Sequence, residues 1–175
     1  MKGAERLAAV EISTPAMARV LPELPMPQTV MVRLLRIAVA GMSDCLEPVF
    51  RTQGLAENSF HVLCLLVAAE AGSASPSELS DLVGTSRANM TRLLDVLVSE
   101  GLVFRRPAAG DARRQVVTIT EQGSVRCRSM AEQIEAPLRA AFSKLDDADL
   151  AHLARLLRKA VTSFDAATLP ARAFL

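Results

Sequence analysis

The chain has 175 residues, with 20 Lys and Arg against 19 Asp and Glu, and half of its residues are hydrophobic. That length suits one domain, or one domain with a helical appendage, large enough to bury a core without disulfide or metal staples, and the composition excludes a generally disordered chain. The longest apolar run, Val62 to Ala69, is far short of the ~20 residues that cross a bilayer, so no membrane partner is expected.

Residues 1–27 carry Pro15, Pro22, Pro25 and Pro27 and read as an irregular N-terminal arm, with room for a short helix in the first dozen residues. Glu5, Arg6 and Glu11 break any signal-peptide core there. From Gln28, Val30, Leu34, Ile37 and Gly41, with Met31, Leu35, Val39, Met42 and Leu46, fill a wide helical stripe to about Arg51, where Pro48 bends or ends the helix. A stripe that wide needs cover on two sides, and residues 28–56 are assigned to dimerisation. Asn58 or Ser59 caps a second helix that is apolar nearly all round, hence central, and closes at Gly72. Ser75-Pro76 opens a short helix with Leu79, Leu82 and Val83 inside. Gly84-Thr85-Ser86 is a turn and a new cap, and the next helix turns Met90, Leu93, Leu94, Leu97 and Val98 inward until Gly101. The period then changes: Leu102-Val103-Phe104 and Gln115 to Ile119 are strands, with Pro107 to Asp111 as a loose hairpin tip. Thr120 starts a long helix through Val125, Met130, Ile134, Leu138 and Phe142, kinked by Pro137. Asp146, Asp147 and Asp149 mark the start of the last helix, whose stripe is Leu150, Leu153, Leu157, Ala160, Val161 and Phe164. The tail to Leu175 is unassigned.

Two short helices joined by a tight turn and followed by a β-hairpin make a winged helix-turn-helix, so the expected fold is mainly α (α+β). Residues 57–122 form the DNA-binding region, and residues 123–175 form the C-terminal dimerisation helices. The second helix of such a pair enters the major groove, its first residues reaching the bases. Those residues are Thr85, Ser86, Arg87, Asn89, Thr91 and Arg92, directed away from Met90, Leu93 and Leu94. Asn and Arg suit bidentate contacts to adenine and guanine; Ser and Thr hydroxyls suit phosphate oxygens. Ser75 and Ser77 at the start of the preceding helix are assigned to DNA with them, as are Arg106 and Arg114. Between Thr85 and Gln115 six arginines face three acids, so positive charge concentrates on the proposed DNA face. At the hairpin tip, Asp111 lies two positions before Arg113 and can orient its guanidinium for the minor groove.

Ser77-Glu78-Leu79-Ser80, Thr85-Ser86-Arg87-Ala88-Asn89-Met90-Thr91-Arg92-Leu93-Leu94, Gly101-Leu102-Val103, Asp111-Ala112-Arg113 and Thr118-Ile119-Thr120-Glu121-Gln122-Gly123 resemble, in that order, the multiple-antibiotic-resistance regulator (MarR) family. The stretch from Thr85 to Arg92 is especially similar to the branch that represses multidrug efflux operons. The resemblance covers roughly residues 53–123. It implies an obligate homodimer held by the first and last two helices. It also implies a repressor on a pseudo-palindromic operator, linked to antibiotic resistance and released by small aromatic or anionic molecules. It further links Thr91 and Arg105 to anionic-ligand contact. On the residues alone, Arg105 braces the wing equally well, because Arg105 and Arg106 alternate on a strand and one of them faces inward.

Met42 on the first long helix, with Cys45, Phe60 and His61, is the candidate lining of an effector pocket, although His61 also reads as an interior residue of the central helix. The chain has no Tyr or Trp for a ligand to stack on. Two histidines far apart without acids or cysteines at ligand spacing give no metal site, and no cofactor motif or nucleophile set appears, so no enzyme is expected. Cys45, Cys64 and Cys127 are odd in number and widely spaced, as for reduced thiols in the cytoplasm. They raise a second reading, a thiol-based redox sensor of the same fold. Cys64 is expected to be inert in its apolar helix, and Cys45 has acidic neighbours that disfavour a thiolate. Cys127 lies between Arg126 and Arg128 and is the candidate. A third reading, a winged-helix module for protein contacts, predicts no salt-dependent duplex binding.

Overall fold

The structure, a computed structural model, describes residues 3–108 and 111–167, and of residues 111–113 the backbone alone. The elements run α1 (Gly3–Val20), α2 (Met26–Gln53), α3 (Glu57–Ala68), β1 (Ser73–Ala74), α4 (Pro76–Val83), α5 (Arg87–Ser99), β2 (Val103–Ala108), β3 (Asp111–Ile119), α6 (Glu121–Ala141) and α7 (Asp147–Ala167). They divide into two compact units, residues 1–137 and 138–175. Among the described residues no helix is long and apolar enough to cross a membrane.

The first correction concerns the arm, which is helical over 18 residues with Pro15 inside it. An interior proline costs a helix ~3 kcal/mol or more, and here tertiary contacts offset it. Val10 is buried. From α2, Arg33 donates to Ser13 Oγ at 2.7 Å, and Arg6 of α1 reaches Asp44 at 3.2 Å. Nor does Pro48 end α2, which runs on to Gln53 and stops at Gly54, whose φ of 60° is the left-handed cap.

The core is built on α3, where Val62, Leu63 and Leu66 are fully enclosed. No side chain caps this helix: the cap position is Ala56, ahead of the expected Asn58 or Ser59. The helix also ends earlier than expected, at Ala68, and Gly72 with φ 60° makes the following turn into β1. Leu79 of α4, Met90, Leu94 and Leu97 of α5, Val103 and Val117 of the hairpin and Met130 of α6 close around α3. Leu82 and Val98, expected inside, are exposed at 68 % and 40 %. Each helix already has enough inward residues without them, so a short apolar run overstates its inner face.

The sheet order is β1-β3-β2, all antiparallel. β1 has two residues and no periodicity to read; it forms by pairing Ser73 with Thr118 and Ala74 with Val117. Both hairpin strands are longer than expected. The ladder runs from Val103↔Ile119 to Pro107↔Gln115 and then shifts register to Ala108↔Asp111. The tip residues 109–110 lie outside the described residues. Thr120 joins wing to α6: its Oγ1 accepts from the Gly123 N–H at 2.9 Å and lies 2.8 Å from the Gly101 carbonyl oxygen, to which it donates.

The second unit holds the end of α6 and α7. Asp146 and Asp149 cap α7 reciprocally, with the Asp149 N–H donating to Asp146 Oδ1 at 2.8 Å and the Asp146 N–H to Asp149 Oδ2 at 3.4 Å. Leu150, Leu153, Leu157, Val161 and Phe164 form its apolar stripe and all are exposed.

Candidate nucleic-acid interface

Two short helices must be held rigidly for one of them to read DNA, and local chemistry supplies this. Ser75 Oγ accepts from the Glu78 N–H at 3.2 Å, while the Ser75 N–H donates to Glu78 Oε2 at 2.8 Å. This reciprocal box starts α4. Hydrogen bonding to the carboxyl from the Ser75 backbone N–H and, second, from the Ser75 side chain holds the exposed Glu78 carboxyl below the usual carboxylate range, with a smaller contribution from the Arg114 charge. Gly84 at φ 72° ends α4 and turns the chain sharply. Ser86 then caps α5, its Oγ accepting from the Asn89 N–H at 3.2 Å. Each cap contributes ~1 kcal/mol, and the two fix where α4 and α5 begin.

Arg87, Asn89, Thr91 and Arg92 are exposed along one side of α5, while Met90 and Leu94 are buried on the other. Thr85 is half-buried and its N–H donates to the Ser80 carbonyl at 3.0 Å; it belongs to the turn. Ser75, Ser77, Arg87, Thr91 and Arg114 line one concavity of about 350 Å³. The structure therefore gathers residues from α4, α5 and β3 that the sequence spreads over 40 positions. Two guanidinium groups and three hydroxyls around one hollow suit a phosphate, which accepts from both. Arg106 is exposed on β2. The side chains of Asp111 and Arg113 lie outside the described residues.

Arg105 makes contacts that support its bracing reading. Its guanidinium pairs with Asp95 at 2.7 Å and donates to the Thr91 carbonyl at 3.2 Å, so it braces β2 against α5. Among the described residues the proposed effector residues differ in burial. Phe60 is buried, its ring centroid 6.0 Å from that of Phe50, whereas Met42 and Cys45 are exposed on α2. His61 is exposed as well, contrary to the interior reading, because it falls on the side of α3 away from Leu63 and Leu66. The larger cleft, about 490 Å³, lies further along, at the junction of α2 and α3, lined by Ser43, Glu47, Phe50, Arg51, Leu55 and Glu57 among others. Sequence reasoning missed it because Leu55 and Glu57 flank a turn.

Cys127 is not the cation-flanked thiol its neighbours suggest. It is buried on α6, and burial, with the Cys64 thiol beside it, pushes it up to about 12 against a slight lowering by Arg128. Arg126 turns away to the Gln53 carbonyl and side chain. Arg128 turns to the Ser124 carbonyl and Glu121. Cys64, half-buried, is also pushed up, by burial, as its apolar helix leads one to expect.

The MarR family model matches residues 53–114. The transcriptional repressor MprA of Escherichia coli K12 is 28% identical over 143 residues, spanning 82% of this chain and 81% of that protein. The repressor YetL of Bacillus subtilis is 35% identical over 85 residues, about half of each chain. Among solved structures, a C80S mutant of E. coli MarR complexed with operator DNA aligns with a TM-score of 0.69 at 25% identity, covering 82% of this chain and 96% of that one. A Streptomyces coelicolor regulator, Sco3205, in complex with DNA shares the fold, with a TM-score of 0.74 at 20% identity over 87% of this chain and 94% of that one. Over residues 53–114 the winged region matches the MarR family, and the relatives that extend the likeness into the flanking helices are transcriptional repressors and DNA-bound regulators.

Proposed function

We propose that the chain is a repressor that binds a pseudo-palindromic operator as a homodimer in the cytoplasm and is released by a small aromatic or anionic effector, with a multidrug efflux operon as its target. The observation that carries the DNA reading is the concavity shared by Ser75, Ser77, Arg87, Thr91 and Arg114, beside the exposed Asn89 and Arg92. Phosphate held there sets the register, and the start of α5 reads the bases; Asp111 and Arg113 at the wing tip are assigned to the adjacent minor groove. Effector release is supported by the cleft at the α2–α3 junction, whose volume falls within the range of small-molecule sites, about 300–1,000 Å³. Because α3 packs on both α4 and α5, a ligand that shifts its start moves the reading helix.

The test is fluorescence anisotropy on a duplex selected from a random pool, at 50 to 200 mM salt. Each phosphate contact contributes about 0.9 to the slope of log affinity against log salt, so a steep fall is expected, and salicylate added under reducing conditions should weaken the complex. A flat salt response would reject DNA binding and favour a protein-contact module.

A further inference from the structure

Cys64 of α3 and Cys127 of α6 stand 63 positions apart in sequence, yet their Sγ atoms are 3.7 Å apart. A disulfide would need about 2.05 Å, so these are two separate thiols held side by side. Cys127 is buried and Cys64 half-buried, and Cys64 shares its side of α3 with the exposed His61 and Val67, one turn away on either side. Entry is therefore from the Cys64 end.

We propose that Cys64 and Cys127 form a two-thiol capture site for a trivalent organoarsenical. The pairing of sulfurs selects this class over its rivals. Zinc asks for four protein ligands in a structural site and three in a catalytic one, and among the described residues there is no group of three His, Cys, Asp or Glu side chains able to hold a metal ion. Peroxide attack needs a thiolate, which burial withholds from both sulfurs. An arylarsonous acid needs neither. It brings its own third substituent, which can project past Cys64 to solvent. Its two As–O bonds break and two As–S bonds form; each thiol proton leaves on a displaced hydroxide as water. Arsenic stays trivalent, no electrons are transferred, and the product is neutral, so burial does not oppose it.

The test uses the full-length reduced chain and phenylarsine oxide, read by native intact mass and by peptide mapping. One phenylarsenic group per chain is expected, bridging the peptides that contain Cys64 and Cys127, stable to excess 2-mercaptoethanol and removed by 2,3-dimercaptopropanol. Cys64→Ala and Cys127→Ala should each weaken retention by roughly 100-fold, as expected when a second linked contact is lost; Cys45→Ser should retain it fully. Retention in Cys127→Ala, loss in Cys45→Ser, or labelling only after denaturation would overturn the site. Bridged peptides in the unmutated chain decide the matter even where an alanine variant fails to fold.

Discussion

Asn89 and Arg114 belong to one surface but are proposed to act on different parts of DNA, and the difference is measurable. Asn89 projects from the first turn of α5, where an amide reads adenine; Asn89→Ala should relax base preference at one step by roughly 1–3 kcal/mol and leave the salt slope unchanged. Arg114 lines the hollow proposed to hold a phosphate, so Arg114→Ala should weaken all duplexes alike and lower the slope by about 0.9. Anisotropy across a panel of single-base operator variants separates the two; equal losses for Asn89→Ala at every site would show that it does not read bases. Gly123 is held for a different reason. A Cβ there would overlap the Leu102 carbonyl oxygen and lie 2.9 Å from Ile119 Cγ1. Because the obstacle is backbone at the turn between α5 and β2, it cannot move aside cheaply. Gly123→Ala should cost about 1–3 kcal/mol in urea unfolding, and a neutral result would mean that α6 can shift away from the wing.

At the scale of elements, α4 depends on its capping box. Ser75→Ala should destabilise the chain by about 0.5–2 kcal/mol and also remove a hydroxyl from the hollow proposed to hold a phosphate. Because Glu78 is held below its ordinary value of 4.5, its contribution to stability is present above that value. It is lost as pH falls through the lower folded value. Melting temperature should therefore drop below pH 4.5 less steeply in Glu78→Gln than in the unmutated chain; identical acid profiles would discount the box. These elements were legible because their signals are local: Ser75-Pro76, Gly84-Thr85-Ser86 and Thr120 are caps whose partners lie within four residues. What was not legible is whatever depends on distant partners. The helix through Pro15 stands because Arg33, 18 positions on, holds it. β1 exists because β3 passes beside it. The thiol pair and the brace from Arg105 to Asp95 are meetings of separate elements that no spacing rule announces. Cys127 shows the reverse failure: its sequence neighbours are cations, but a helix points residues on either side of it elsewhere.

For the whole molecule, the question is what covers the apolar stripes. Met31, Val32 and Val39 of α2 are more than half exposed, and Leu150, Leu153, Leu157, Val161 and Phe164 of α7 are exposed as well. Soluble monomers rarely leave apolar stripes of this size uncovered, and a two-fold axis lets each stripe meet its own copy. A dimer also sets the two α5 helices against half-sites about 34 Å apart, one turn of DNA. Leu153→Arg with Leu157→Arg tests this cleanly. Both positions are exposed in the single chain, so the substitutions should change the stability of the protomer by no more than about 0.5 kcal/mol. In a dimer they would bury unpaired charge. Ultracentrifugation should show the unmutated chain as a dimer at micromolar concentration and the double variant as a monomer. Operator affinity should fall by roughly 10²–10⁴, the gain that linking two half-site contacts supplies. If the unmutated chain sediments as a monomer, or the variant keeps full affinity, each winged unit binds DNA alone and the stripes serve some other partner.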